Sequence, residues 1–493
     1  MESYGYATEL EYVDDFIPAL NPLWIDFSLT LAGVECPKPQ GKFRYLELGF
    51  GLGNSLTLHA SCSEGEFMGN DFIPAHCQHA QKFIAASQSC TQVYEEDFLG
   101  FYKRLLQENR KFDYIILHGV WSWVSRENQE VIFEIINHCL DLGGGVVYVS
   151  YNVFPGWEGK YSLRHLLKTY ESNASGNQEK RIQQTISWAK DFFASSSLYA
   201  QQNPRTQEIY QELQTREINY LCHEFFNKDW HCLFFSQMAE SMRQISCEFS
   251  TSAKLMWHFD PQTFSAQQKV LLAEARDSIL QEQLKDYWIN ESFRMDCFVR
   301  GKRNLTQQER TKRLLQTHFV LLKSPFGFQN LPETPLEFQT LCQKILDFFA
   351  KDSYQPKTLQ SLVQNFGLEM EFLLPIVCAM MTQGFLHPAQ AYSHRISTQA
   401  KAHNQVLFSQ KPKNTGLFLA SASIGGGIFL DTITWNCLKG YIQGNYKKRI
   451  TSRICKVRDS KFAQRIFGKF SRTILKRYST LSSVGDFGLK RNE

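Results

Sequence analysis

The feature that most constrains this chain is the regular alternation of apolar strand runs and helical runs between residues 43 and 151, with a glycine cluster at its first turn. Residues 43–48 read as a strand, 54–62 as a helix, 66–71 as a strand and 75–87 as a helix. A short strand at 92–95 leads to a helix at 98–107. Residues 112–118 (FDYIILH) form the most strand-like run, followed by a helix at 127–141 and a strand at 145–151 (GVVYVSY). Strands that alternate with helices in this way build βαβ units. The expected fold class is therefore α/β, Rossmann-like, with a parallel sheet buried on both faces and right-handed crossovers.

In such a sheet the ligand lies beyond the carboxyl ends of the strands, near the switch in strand order. The sequence there is Glu47-Leu48-Gly49-Phe50-Gly51-Leu52-Gly53-Asn54. Glycines in a strand-to-helix turn let the backbone approach a ligand closely. The spacing departs from GxGxxG, because the third glycine follows the second by two residues and Asn54 comes next. A nucleoside with an amino-acid tail fits this turn better than a pyrophosphate does. Glu47 would sit beside an amino group or hold the loop. Asp71, next to Phe72, ends the second strand, where a carboxylate can accept from both ribose hydroxyls. Asp97, next to Phe98, ends the third strand, where a carboxylate can take an adenine amino group while the phenyl ring packs on the base. Each aspartate could equally cap a helix. Carboxylates at the ends of strands one, two and three together point to an adenosine site.

On these residues the chain resembles the class I S-adenosylmethionine-dependent methyltransferases: Glu47–Gly53 is similar to that superfamily's first motif, and Asp71 and Asp97 fall where its ribose and adenine carboxylates lie. Residues 112–124 (FDYIILHGVWSWV) and 149–157 (VSYNVFPGW) resemble the bacterial methyltransferases that carry a methyltransferase regulatory domain, a group that includes the protein-lysine methyltransferases of rickettsiae. Residues 219–226 (NYLCHEFF) resemble the regulatory segment of the same group. Tyr12, Asn21-Pro22 and Leu31-Ala32-Gly33 are similar to its lead-in, with Leu20-Asn21-Pro22 standing where Thr-His-Pro is usual. The resemblance implies a seven-stranded class I sheet with helical insertions, S-adenosylmethionine as cofactor, and a protein substrate, with an outer-membrane or surface protein as the model.

The organisation expected is a cofactor-binding core with its lead-in at 1–157, and a helical insertion plus the final antiparallel strands at 158–303. A winged-helix-like α+β interaction domain at 304–437 and a basic helical tail at 438–493 would follow. Within the second unit, 241–253 reads as a helix end running into a strand and 292–300 as the last strand. In the third, 313–321 reads as a strand, with helices at 335–350, 358–365 and 370–384. The glycine run within 417–430 reads as a turn between strands. His223 and Glu224, with no second histidine four residues on, read as structural.

Charge divides unevenly. Residues 438–493 hold 15 Lys and Arg against 3 Asp and Glu, a net of +12, while the rest of the chain carries 38 against 46, a net of −8. Ile442, Tyr446, Ile450 and Ile454 recur every four residues in this tail, as do Phe462, Ile466, Phe470, Ile474 and Tyr478, which describes a basic amphipathic helix pair suited to an anionic partner. The two helices of the winged-helix-like segment are poor in Lys and Arg, which argues against nucleic acid. The 13 cysteines form no paired spacing and point to a reducing compartment. No apolar run is long enough for a membrane span, and Met1-Glu2-Ser3 opens no secretory signal, so a cytoplasmic location is expected. No metal site is visible.

Candidate catalytic residues come from the loops after the fourth and fifth strands: Trp121 from one, Tyr151, Asn152 and Trp157 from the other, with Trp123 beside them and His118 near the cofactor. A lysine amine, with an ordinary pKa of about 10.4, must lose its proton before methylation. A water-poor aromatic pocket favours that loss and can hold a cation against ring faces. Protein-lysine methylation is the leading expectation. Methylation of a small molecule and cofactor binding without turnover stay open as alternatives.

Overall fold

The computed structural model describes residues 16–36, 42–195, 197–259, 264–323, 336–391, 394–409 and 417–442. Its first strands are β1 (Arg44–Leu48), β2 (Glu66–Asp71), β3 (Thr91–Glu95), β4 (Tyr114–Leu117) and β5 (Gly145–Asn152), closed by β6 (Cys247–Ser252) and β7 (Phe293–Arg300). They form one seven-stranded sheet in the order β3-β2-β1-β4-β5-β7-β6. The neighbouring pairs among the first five are parallel, and β7 runs antiparallel to both β5 and β6. The order reverses at β1 and β4, which is where an open α/β sheet leaves a crevice.

α1 (Pro22–Leu31) precedes β1, and the helices between the first five strands are α2 (Asn54–Cys62), α3 (Pro74–Ser87), α4 (Phe98–Gln107) and α5 (Arg126–Cys139). Every residue of β4 and β5 is buried, as a strand covered by helices on both faces requires. Period-two alternation divides them between two apolar layers. Tyr45, Tyr114, Val146 and Tyr148 face one, and Leu46, Ile115, Val147, Val149 and Tyr151 face the other.

The chain between β5 and β6 is helical: α6 (Glu158–Glu171), α7 (Gln178–Ala194), α8 (Leu198–Gln202), α9 (Pro204–Leu213), α10 (Ile218–Phe225) and α11 (Phe235–Gln244). It has its own small core, where Trp123 and Trp157 pack with Leu163, Leu167, Leu221 and Phe225. Between β6 and β7 lie α12 (Ala266–Glu274) and α13 (Ser278–Ile289). The α13 segment is fastened to the sheet by Arg294 on β7, whose guanidinium meets Asp286 and Asp296 at 2.7 Å each and Glu282 at 3.3 Å. This buried guanidinium also lies 4.1 Å from the Phe235 ring centroid and 4.6 Å from that of Trp257.

Beyond β7, the expected strand at 313–321 is largely helix. Thr306 and Glu309 form a reciprocal capping box that starts the helix Gln307–Gln316, and only β8 (His318–Leu321) is extended. β8 pairs with β9 (Lys357–Thr358) and β10 (Leu386–Pro388), with helices Leu336–Tyr354, Leu359–Phe366 and Met370–Thr382 around them. The glycine run forms the turn of a hairpin, β11 (Leu417–Ser421) with β12 (Gly426–Leu430). That hairpin returns to the lead-in, where Asn21 caps α1 and its side-chain amide donates to the Ile424 carbonyl at 2.7 Å. The tail from residue 443 onward, Tyr12 and Met1–Ser3 lie outside the described residues. No helix among the described residues is long and apolar enough to cross a membrane.

Candidate cofactor and acceptor site

A cavity of 610 Å³ opens at the carboxyl ends of β1, β2, β4 and β5. Its floor is the turn after β1. Gly49, Gly51 and Gly53 all take left-handed backbone angles, with φ of +66°, +60° and +73°. A Cβ on Gly49 would stand 2.8 Å from Val120, whereas one on Gly51 would meet nothing within 4 Å and would project into open space. Close backbone approach is thus available at Gly51, and Asn54 begins α2 immediately behind it.

Asp71 locks this turn to the next one. Its Oδ2 accepts from the Gly51 amide and its Oδ1 from the Ile73 amide, both at 2.9 Å. His76 approaches Oδ1 at 3.1 Å. Asp97 caps α4, accepting from the Gly100 amide at 2.7 Å. Both aspartates therefore serve the local structure, and both also line the cavity, as do Phe72 and Phe98. Glu47 is only 5% exposed. The Tyr45 hydroxyl donates to it at 3.4 Å, and burial pushes its carboxyl up to about 8. Burial therefore favours the protonated form of this carboxyl.

The opposite wall comes from the loops after β4 and β5. His118 Nδ1 lies 2.9 Å from the Tyr148 hydroxyl, and burial lowers the imidazole to about 4, so it carries no positive charge at neutral pH. Asn152 is 4% exposed and has a side-chain nitrogen with no partner among the described residues. Asn70, at the end of β2, has a buried side-chain oxygen in the same condition. Orphaned buried groups around a glycine turn that can be closely approached fit a nucleoside carrying an amino acid, because a ligand would supply the missing hydrogen bonds. Among the described residues no group of three or more His, Cys, Asp or Glu is arranged to hold a metal ion.

Glu47, Gly49, Gly51, Gly53, Asn54, Asp71, Phe72, Asp97, Phe98 and His118 thus come together on one cavity, together with Asn152 and Trp157. Tyr151 and Trp121 do not. Strand alternation turns Tyr151 to the face covered by α5 and α11, where its hydroxyl donates to Asp296 at 2.6 Å. Trp121 packs edge-on against Phe133 of α5, with ring centroids 4.9 Å apart, and its neighbour Trp123 lines the cavity instead. The cavity also takes Lys160 from α6 and Tyr220 and Glu224 from α10; Lys160 and Tyr220 are not among the residues expected there, and Glu224, expected to be structural, lines the cavity. Tyr220 and Glu224 stand four residues apart, which puts both on one face of the helix, but Asn219 and His223 on the same short helix are polar too, so sequence alone does not single them out.

Three comparisons bear on this arrangement. Residues 217–300 match a family model described as a predicted methyltransferase regulatory domain. The chain is 29% identical to an uncharacterised protein of Synechocystis over 87% of this chain and 86% of that protein, and 24% identical to one of Rickettsia prowazekii over 68% and 57%. The structure of PKMT2 from Rickettsia typhi in complex with AdoHcy is similar with a TM-score of 0.71 at 19% identity, covering 96% of this chain and 100% of that one. The chain has the class I S-adenosylmethionine-dependent methyltransferase fold, and its segment 217–300 is similar to a methyltransferase regulatory domain.

Proposed function

We propose that this protein is an S-adenosylmethionine-dependent methyltransferase that modifies lysine side chains of a protein substrate. The observation that carries the reading is one cavity shared by the glycine turn with its strand-end carboxylates and by an aromatic, partly acidic wall from the helical insertion. Likeness to PKMT2, a protein bound to AdoHcy in its own structure, supports the cofactor and the substrate class.

S-adenosylmethionine supplies a methyl group activated on a sulfonium. The chain's work is then alignment and solvent exclusion, since in-line displacement depends on holding the reacting atoms in register. The Gly51 backbone and Asp71 receive the ribose side, Asp97 and Phe98 the adenine, and Glu47 the amino group of the methionine tail. Neutral His118 places no cation beside the bound positive charge. Trp157 and Trp123 offer ring faces to the acceptor ammonium. Lys160 lines the same cavity, and desolvation holds its ammonium below the ordinary lysine range, which is the shift an incoming substrate lysine needs. The substrate is proposed to be an outer-membrane or surface protein, with the +12 segment at 438–493 supplying charge toward an anionic partner.

The test is transfer of radiolabelled methyl from S-adenosylmethionine into bacterial envelope proteins, with a Gly49/Gly51 double alanine variant as the blank. Label mapped to lysine in discrete protein bands supports the proposal. Label confined to small molecules, or AdoHcy binding with no transfer to any fraction, overturns it.

A further inference from the structure

Helix α10 presents two faces of different character. Leu221, Cys222 and Phe225 are buried in the core of the insertion, whereas Tyr220 and Glu224, one turn apart, line the cavity. Across from them, α6 contributes Lys160, whose ammonium lies 5.0 Å from the Trp157 ring centroid. Glu224 makes no ion pair with any described residue, and Lys160 is the charged group whose field reaches it.

The other carboxylates on the cavity already have duties. Asp71 holds the Gly51 and Ile73 amides, Asp97 caps α4, and Glu96 pairs with Arg104. Glu47 sits at the end of β1 beside the glycine turn, on the side assigned to the methionine tail. Tyr220 is held above its ordinary range by burial and cannot take a proton at neutral pH. Asn152 has no basic atom.

We propose that Glu224 is the acceptor-side carboxylate of this site, pairing with the ε-ammonium of the incoming lysine and taking its proton before methyl transfer. The assignment rests on the methyltransferase reading above and adds to it the group that prepares the nucleophile. The proton passes from the ammonium nitrogen to a Glu224 oxygen. The freed lone pair then forms the N–C bond as the C–S bond breaks, and the electron pair of that bond stays on sulfur. The proton held by Glu224 leaves through the cavity mouth to solvent. Burial pushes the Glu224 carboxyl up to about 7, while the Lys160 ammonium pulls it the other way. Tyr220 faces it from the same helix, and Arg205, Glu212 and Arg216 act on the surrounding field through Lys160 and Tyr220. A general base poised near the working pH is the efficient one.

The experiment uses the full chain saturated with AdoHcy and titrates it with n-butylamine labelled with ¹³C beside nitrogen, a mimic of the lysine side chain whose NMR shift reports binding and protonation. The wild-type protein is expected to bind the amine, more tightly as pH rises from 6 to 8 and Glu224 ionises. Glu224→Gln is expected to lose at least tenfold in affinity and to lose this pH dependence, with Glu224→Asp intermediate. AdoHcy affinity should stay within twofold in all three. Equal amine affinity in wild type and Glu224→Gln, a pH limb that survives in Glu224→Gln, or no amine binding to an AdoHcy-loaded wild type overturns the assignment while leaving the methyltransferase reading intact. Should Glu224→Gln fail to hold AdoHcy, Glu224→Asp decides: intermediate affinity supports the assignment and wild-type affinity overturns it. A wild-type protein that does not bind AdoHcy overturns the methyltransferase reading and this assignment with it.

Discussion

The Tyr151 hydroxyl donates to Asp296 at 2.6 Å, joining β5 to the buried group in which Arg294 also binds Asp286 and Glu282. Tyr151 therefore belongs to the joint between the sheet and the segment around α13. Tyr151→Phe keeps the ring and removes a buried hydrogen bond to a charged acceptor, which lowers stability by about 2 kcal/mol. Chemical denaturation should show that loss, while calorimetry with AdoHcy should show affinity within twofold of wild type. An intact stability with impaired methyl transfer would instead return Tyr151 to the reaction.

Arg294 is the cation on which that joint depends. Arg294→Met leaves Asp286 and Asp296 buried without their partner, and removing one member of a buried ion group costs about 3–5 kcal/mol. The denaturation midpoint should drop accordingly. A change below about 1 kcal/mol would mean that water or the neighbouring carboxyls relieve the charge.

Asp71 tethers two loop amides and faces the cavity. Asp71→Ala is expected to weaken AdoHcy binding by about 1–3 kcal/mol. Unchanged affinity by calorimetry would reject its place at the ribose.

Gly51 has φ of +60° and open space where a side chain would stand. Gly51→Ala is expected to cost about 1–2 kcal/mol of backbone strain and to weaken AdoHcy binding at least as much as Asp71→Ala does, because its methyl projects into the cavity. If AdoHcy binds this variant as it binds wild type, the turn does not approach the ligand.

Glu47 gives a pH signature. Its folded carboxyl sits at about 8 against an ordinary value of 4.5, so between those limits the folded state holds a proton that the unfolded state has released. Its contribution to stability is full below 4.5 and is lost as pH rises through about 8. Glu47→Gln should flatten the fall in stability across that window. Binding of the cationic amino group of AdoHcy should lower the Glu47 pKa and release a proton near pH 7, read as a dependence of binding enthalpy on the ionisation enthalpy of the buffer. No proton release would separate Glu47 from the amino group.

Much of the site was legible in the sequence because its cofactor side is local. The order of strands and helices from 43 to 151 follows from hydrophobic period and turn residues. Right-handed crossovers then bring the ends of β1, β2 and β3 to one edge, so Gly49, Gly51, Asp71 and Asp97 meet without long-range information. The choice between Tyr151 and Asn152, or between Trp121 and Trp123, was different in kind. Neighbouring residues at a strand end or in a single helical turn face opposite ways, and only the packing of α5, α11 and β7 decides which of them meets the cavity. Glu224 is more remote still, on an insertion helix far along the chain from the glycine turn, and no local pattern distinguishes a cavity-facing carboxylate from a solvated one. The parallel strands, the glycine turn and the strand-end carboxylates follow from local pattern, since period and chirality act between near neighbours. Tertiary structure alone decided the acceptor wall, because it depends on how an independent helical core docks over the open edge of the sheet.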